Sequence, residues 1–299
     1  MIVILKLSTA VPITLLGVAS TVIPSAAADL VLPITFDEYT IPSVSLEIEG
    51  EPSALTLDTG SGEGLHLRRE VLDRLESVRF TGEMQRSSDM AGKVQENARF
   101  VIDELAVQGL TFREIRGVEL APWGITVQED GQLPETPVLG LGFFEGQRVL
   151  IDYPSKELTV FDPSSDFLPN KETGWIEVPF RHSGEGLLLK AEIAGQASDM
   201  VLDTGATISF AVADRIASTA EAVPCKSIYA SLEQEGCRLI PVKTAFGGQS
   251  ASFHAFIIED DSNFEAAGLL GGDFLNQHEV FMDFAGKRMF IRPDQGLND

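Results

Sequence analysis

Residues 54–64, ALTLDTGSGEG, end an alternating apolar run in Asp-Thr-Gly. This tripeptide is a good turn sequence, because an Asp side chain bonds its own backbone two residues on. Taken alone, it leaves two interpretations of Asp58: a turn residue or a chemically active group. Residues 198–208, SDMVLDTGATI, carry the same tripeptide around Asp203. The comparison of the two stretches decides between the interpretations.

Residues 44–78 align with residues 189–223 at a constant offset of 145 without a gap. In both copies apolar residues alternate with polar ones before the tripeptide, which is the period of a half-buried strand. Apolar residues at helical spacing follow it, from Leu67 in the first copy and from Val212 in the second. Each copy therefore predicts strand, turn, strand, Asp-Thr-Gly and a short helix.

A second block repeats at an offset of 131, with residues 138–161 over residues 269–292. In it Gly140 pairs with Gly271, and the pattern predicts a buried strand followed by a hairpin. The smaller offset places about 14 extra residues in the first copy, within residues 121–137. Turn formers between the copies indicate a linker. The predicted division is a signal peptide over 1–28, a first lobe over 29–163, a linker over 164–173 and a second lobe over 174–299.

The repeat favours a chemical role for Asp58. A turn Asp is usually replaceable by Asn, Ser or Gly, yet two diverged halves both keep Asp-Thr-Gly whole. If the lobes face each other about an approximate two-fold axis, Asp58 and Asp203 meet. Two carboxyl groups in contact hold one proton between them and titrate as a pair. Such a pair can activate a water for attack on a peptide bond without a metal or a covalent intermediate.

These motifs resemble the aspartic peptidases of the retropepsin and pepsin clan, and LLGGDFL (269–275) is similar to the form found in retropepsin-like bacterial proteins. The resemblance implies a mostly β fold of two β-barrel lobes related by pseudo-two-fold symmetry, each with a short helix. It implies that Asp58 and Asp203 are catalytic and that Ser61 supports the first carboxylate by a hydrogen bond. The remaining positions implied are the cross-lobe grip of Thr59 and Thr204, the turn residues Gly60, Gly205, Ala206 and Thr207, and the structural glycines Gly140 and Gly271 behind the site.

Some positions depart from the family pattern. Ala206 stands at the position equivalent to Ser61, and Asp273, opposite Gly142, is interpreted as structural. A flap over the substrate is expected between the two blocks, with its tip at Gly92. No flap tyrosine of the pepsin kind is identifiable in the first half, which is a departure from pepsin-like substrate handling.

Composition restricts the partners. The formal charge of −23 predicts a surface that repels nucleic acid and anionic lipid. Residues 1–28 have one charge, an apolar run and a final Ala-Ala-Ala, which predicts an export signal; an uncleaved membrane anchor is the alternative. After signal removal no stable membrane insertion is expected, and the location is periplasmic or extracellular.

The cysteines, the histidines and Ser61 give weaker functional signals than the two aspartates. Cys225 and Cys237 predict a disulfide within a hairpin, with free thiols as the alternative. The four histidines are scattered, so no metal site is predicted. Ser61 lacks the frame of a serine hydrolase, and no His is placed by sequence to serve it. Trp123 and Trp175 are expected to be core or linker-packing residues, with a place in the cleft wall as the alternative for Trp123.

The sequence thus predicts a monomeric aspartic endopeptidase that acts on a peptide or protein substrate without a cofactor. Two alternatives stay open. In one, the cleft binds a peptide or protein without cutting it. In the other, each lobe pairs with the same lobe of another chain.

Overall fold

Strands make up most of the residues that the structure describes, and several of them follow the short alternating runs of the sequence. The computed structural model describes residues 29–48, 50–88, 94–121, 135–193, 196–216, 223–224, 238–246, 249–258 and 264–293. Within these ranges two α-helices occur, each of four residues: Arg69–Leu72 (α1) and Gly272–Leu275 (α2). Short 3-10 helices cover Leu141–Phe144, Lys171–Thr173 and Ala213–Arg215.

The strands fall into two successive sets. Those of the first half are β1 (Leu30–Pro33), β2 (Thr35–Phe36), β3 (Pro42–Ile48), β4 (Glu51–Asp58), β5 (Leu65–Leu67), β6 (Val78–Ser88), β7 (Val94–Val107), β8 (Leu110–Glu119), β9 (Val138–Gly140), β10 (Arg148–Asp152) and β11 (Glu157–Phe161). Those of the second half are β12 (Ile176–Val178), β13 (Phe180–Ser183), β14 (Gly186–Ile193), β15 (Gln196–Leu202), β16 (Phe210–Val212), β17 (Val223–Pro224), β18 (Arg238–Phe246), β19 (Gln249–Ile258), β20 (Gly268–Leu270), β21 (His278–Asp283) and β22 (Arg288–Pro293).

The first lobe is an eight-stranded sheet in the order β2-β3-β4-β9-β5-β8-β7-β6. The alternation predicted for β3 is confirmed, since Val44, Leu46 and Ile48 are all buried. Strand β9 lies between β4 and β5, parallel to the former and antiparallel to the latter. The register of β4 with β9 sets Asp58 directly beside Gly140.

The second lobe has the same central arrangement in another eight-stranded sheet, ordered β13-β14-β15-β20-β16-β19-β18-β17. Strand β20 runs parallel to β15 and antiparallel to β16. The residue that follows β15 is Asp203, and its amide donates to the carbonyl of Leu270 at 3.0 Å. Both copies of Asp-Thr-Gly therefore leave a central strand beside an apolar-Gly strand.

A third sheet joins the halves, in the order β1-β11-β10-β21-β22-β12. The two predicted hairpins are its centre, because β10 and β21 pair antiparallel with Leu150 opposite Phe281. Trp175, 3% exposed, packs with Phe161, Phe281 and Phe290 against this sheet, as its predicted packing role requires. Since strands from both sides of 164–173 share one sheet, the division of the chain there stays a prediction.

The helices that follow the two Asp-Thr-Gly turns begin later than the helical spacing of the sequence predicts. Leu67 does not begin a helix but ends β5, where it pairs in parallel with Glu119 of β8; helix α1 starts two residues later. In the second copy Val212 ends β16, and a three-residue 3-10 helix follows. Strand pairing within each lobe overrides the helical spacing of these apolar residues.

Several predictions fall outside the described residues: the signal segment 1–28, the flap tip Gly92, Trp123 and the cysteines Cys225 and Cys237. The hairpin of β6 and β7 does flank residues 89–93. Among the residues that are described, no helix is long and apolar enough to cross a membrane.

Candidate active site

The two Asp-Thr-Gly turns are tied together by their threonines. The amide of Thr59 donates to Thr204 Oγ1 at 2.9 Å, and the amide of Thr204 donates to Thr59 Oγ1 at 3.0 Å. Each hydroxyl then donates onward to the opposite lobe, Thr59 to the carbonyl of Leu202 at 2.9 Å and Thr204 to that of Leu57 at 2.8 Å. Both threonines are fully buried. Four hydrogen bonds therefore fix one turn against the other.

This pairing brings the two carboxyl groups into hydrogen-bonding contact. Glycine makes the approach possible. A Cβ added at Gly60 would lie 2.7 Å from Cγ of Asp203, and one added at Gly205 would lie 2.9 Å from Cγ of Asp58. Any side chain at either glycine would thus occupy the space of the opposite carboxyl group.

Backbone amides of its own turn also bind each carboxyl group. Asp58 Oδ1 accepts from Gly60 N–H at 2.9 Å and from Ser61 N–H at 3.2 Å. Asp203 Oδ1 accepts from Gly205 N–H at 2.8 Å, and the amide of Ala206 also bonds this side chain. The two acids therefore have matching donors, as their equivalent positions in the repeat suggest.

Burial dominates the electrostatics of the pair. It raises the pKa of Asp58 against the opposing hydrogen bonds from Asp203, Gly60 and Ser61. It raises the pKa of Asp203 well above its ordinary range, and the neighbouring charge of Asp58 adds to the effect. Two half-buried carboxylates in contact cannot both ionise cheaply, so this contact favours a state in which the pair shares one proton.

The apolar-Gly strands lie behind the turns, where the resemblance places Gly140 and Gly271. A Cβ at Gly140 would lie 2.2 Å from the carbonyl oxygen of Glu63, and one at Gly271 would lie 2.7 Å from that of Ala206. Each position therefore needs glycine because the turn backbone passes directly against it. Thr207, half-buried, follows Ala206 in the second turn.

The position of the Ser61 hydroxyl departs from the sequence-based expectation. Ser61 supports Asp58 through its amide, whereas Ser61 Oγ lies 2.7 Å from Nε2 of His66. The inference that no His is placed to serve Ser61 was therefore wrong. His66 is five residues further along, and strand β5 returns it to the turn. Ser61 and His66 are 6% and 5% exposed, so no substrate reaches this pair directly.

Asp273 has a local structural environment, in keeping with its interpretation. Its Oδ1 accepts from the amide of Ser209 and from the amide of Phe274, both at 2.9 Å, and from the hydroxyl of Ser209 at 2.5 Å. The same hydroxyl accepts from Gly271 N–H at 3.0 Å. Asp273 thus fixes the strand end behind the second turn.

Sequence reasoning missed Tyr153, which lies beneath the acids. Its hydroxyl donates to the carbonyl of Thr204 at 3.2 Å. Burial raises the pKa of Tyr153 well above its usual value, and the charges of Asp203 and Asp58 raise it further. The aligned position of the second copy is Phe284, so only the first copy has a hydroxyl here, and the repeat gave no signal for it.

A cavity of about 570 Å³ opens where the halves meet, next to the first turn. Gly62, Leu141 and Glu145 contribute from the first lobe, and His182, Phe284 and Lys287 from the second half. Gly186, also in its wall, lies against the turn backbone, since a Cβ there would be 3.2 Å from the carbonyl of Thr59. Within the described ranges no group of His, Cys, Asp and Glu is arranged to hold a metal ion.

Comparison with solved structures shows the fold. The chain resembles basic 7S globulin from soybean (TM-score 0.60, 11% identity, 89% of this chain and 95% of that chain covered). It also resembles the aspartic proteinase from Irpex lacteus (TM-score 0.57, 15% identity, 90% and 98% covered) and conglutin gamma from lupine seeds (TM-score 0.57, 11% identity, 90% and 96% covered). The chain therefore has the two-lobed, mostly β fold of the pepsin-like aspartic proteinases.

Sequence comparison finds a family match within the first half of the chain. The model of the aspartyl protease family matches residues 44–143, which hold the first Asp-Thr-Gly and Gly140. No curated protein matches the chain in sequence. The resemblance to aspartic peptidases that the sequence motifs indicate is thus confirmed by the family match and by the fold.

Proposed function

We propose that this protein is an aspartic endopeptidase in which Asp58 and Asp203 activate one water for attack on a peptide bond. The observation that carries the proposal is the contact of two half-buried carboxyl groups, one from each half of the chain, which hydrogen-bond each other. The ionised member takes a proton from the water while the protonated member donates one to the carbonyl oxygen. The acid that took the water's proton then gives it to the amide nitrogen, and a hydroxyl of the tetrahedral intermediate returns a proton to the other acid as the C–N bond breaks, which restores the single shared proton.

The surroundings of the pair support this chemistry. The threonine bonds keep the acids in register, and the amides of the two turns hold one oxygen of each carboxyl group, which leaves the others for water and substrate. The cavity beside the first turn is lined by Gly62 but by neither acid. The substrate class therefore rests on the acid pair itself, whose water activation is the chemistry that hydrolyses a peptide bond.

Substitution of each acid tests the proposal. Asp58→Asn and Asp203→Asn should each lower kcat/KM on a mixed peptide library by at least about 100-fold, since general acid–base groups contribute about that much or more. The matched control is Asp166→Asn, which makes the same change at an exposed position. Cleavage that survives both active-site changes at wild-type rate, with circular dichroism unchanged, would overturn the proposal.

A second candidate is a peptide- or protein-binding module that does not cut. It is favoured by the names of two of the three similar structures, which are globulins rather than proteinases. Under this candidate the wild-type chain binds library peptides by calorimetry but cleaves none between about pH 2 and pH 7. Cleavage that requires Asp58 eliminates it.

The proposed active unit is one chain. Because Thr59 and Thr204 of the same chain bond each other, no second copy is needed to bring the acids together. Light scattering at the elution peak of activity should give the mass of a monomer. Activity only at the dimer mass would support pairing between chains instead.

Export is part of the proposal and rests on residues 1–28. Expression of the full gene in a bacterium, followed by N-terminal sequencing of the periplasmic or secreted product, should give a chain that begins at Asp29. A chain that still begins at Met1 and is found in the membrane fraction would favour the uncleaved membrane anchor.

A further inference from the structure

The hydrogen bond between Ser61 and His66 lies one step from the proposed catalytic acid and has no role in the mechanism above. Ser61 Oγ and His66 Nε2 are 2.7 Å apart in a buried site. The amide of the same Ser61 donates to Asp58 Oδ1 at 3.2 Å. Ser61 therefore contacts both groups, with its backbone on the acid and its hydroxyl on the imidazole.

The second copy lacks both members of this pair. At the offset of 145, Ser61 corresponds to Ala206 and His66 to Ala211. Ala211 is 1% exposed, so the equivalent position is a packed site filled by a small apolar side chain. Because serine and histidine are replaced together, the pair forms a unit, and it belongs to the Asp58 side of the site alone.

We propose that His66 is a positioning residue: its Nε2 accepts a hydrogen bond from the Ser61 hydroxyl and so holds that hydroxyl away from the carboxyl group of Asp58. Asp58 then receives hydrogen bonds from its own turn only through the amides of Gly60 and Ser61. This inference rests on the proposed function, and it describes a departure from the serine support that the family resemblance implies.

The state of His66 fits an acceptor. Burial lowers the pKa of His66 to about 4, so above that pH the ring is neutral and has one unprotonated nitrogen. The charged groups on the elements around it are already paired: Glu119 of β8 with Arg69, and Glu63 of the turn with Arg99. The other titratable groups of the site are Asp58, Asp203 and Tyr153.

Removal of the acceptor should change the acid. In His66→Phe the Ser61 hydroxyl loses its partner and becomes free to rotate toward Asp58. A hydrogen bond donated to the charged form of a carboxyl group stabilises that form, which lowers its pKa. The acid limb of the kcat/KM profile should therefore move to lower pH, by about one unit.

The matched variants separate positioning from packing. His66→Gln keeps an acceptor on a side chain of similar reach and should retain the wild-type midpoint of the acid limb. The double variant His66→Phe/Ser61→Ala has no hydroxyl to redirect, so its midpoint should return to that of wild type. A purely structural role of His66 would give no shift, or a shift of the same size with and without the Ser61 hydroxyl, and either result overturns the inference.

A second readout does not depend on turnover. Titration of 13C-labelled aspartate carboxyl groups by NMR, with Asp58 assigned by its loss in Asp58→Asn, should show the same downward shift in His66→Phe and its reversal in the double variant. In wild type the 15N shift of His66 Nε2 should be that of an unprotonated nitrogen. If these shifts occur in a chain that cleaves no peptide, the proposed function fails while the positioning of Ser61 stands.

Discussion

Removal of one hydroxyl from the threonine pair should destabilise the whole protein. Thr204→Val replaces the side chain by one of nearly the same shape. It removes the donor to the carbonyl of Leu57 and the acceptor for the amide of Thr59. Both backbone groups then stay buried without a partner, since Thr59 is fully buried and the valine methyl group fills the space.

The magnitude follows from these two orphaned groups. Each unsatisfied buried donor or acceptor costs about 1–3 kcal/mol, so Thr204→Val should lower the free energy of unfolding by about 2–6 kcal/mol. Thr59→Val should cost a similar amount, because it deprives the carbonyl of Leu202 and the amide of Thr204 in the same way. A loss of this size is a large part of the stability of an ordinary domain.

Urea unfolding followed by tryptophan fluorescence measures the effect. Trp175 is a suitable reporter because it is buried against the sheet that joins the two halves. Thr204→Ser is the control, since it keeps the hydroxyl and loses only a methyl group. If Thr204→Val unfolds within about 0.5 kcal/mol of Thr204→Ser, a margin typical of surface substitutions, the hydrogen bonds do not hold the turns together and the reasoning is wrong.

Two further predictions concern the glycine behind the first turn and the acid of the second. Gly140→Ala should lower the free energy of unfolding by about 1–3 kcal/mol in a thermal melt, because its Cβ would lie 2.2 Å from the carbonyl oxygen of Glu63. The control is Gly62→Ala, whose Cβ meets nothing within 4 Å and which should melt like wild type. Burial raises the pKa of Asp203, so the folded protein keeps a proton on Asp203 that the unfolded chain releases near pH 4. The contribution of this proton to the stability of the folded state is complete below that pH and is lost as the pH rises through the folded pKa. Asp203→Asn should therefore gain in melting temperature relative to wild type as the pH increases from about 4, and a difference that does not vary with pH would contradict the assignment.

Most of the candidate site could be predicted from the repeat in the sequence. Two aligned copies of Asp-Thr-Gly, each after an alternating strand, were enough to pair Asp58 with Asp203 and to expect Gly140 and Gly271 behind them. The reason is physical: a central strand, a turn that bears an acid and a neighbouring apolar-Gly strand each have a local pattern that survives divergence. Their positions in the structure follow this pattern closely.

Local pattern failed where strand pairing decided the outcome. The helical spacing that starts at Leu67 predicted a helix, and α1 does form at Arg69–Leu72. Leu67 itself, however, pairs with Glu119, which lies 52 positions further along the chain. The hairpin pattern of the second block likewise gave no indication that β10 and β21 pair with each other in the sheet that joins the halves. No short-range signal specifies a partner at such separations.

The sequence by itself determined the class of this protein, because a duplicated strand–turn–strand unit with an acid at each turn is written in residues that are close together in the chain. Only the tertiary structure decided which groups surround the acids. Tyr153 and His66 come to the site because strands return them to it, and the Ser61 hydroxyl bonds an imidazole instead of Asp58. Hydrogen bonds and burial depend on distances between side chains, and those distances are fixed only when the strands pair and the lobes pack.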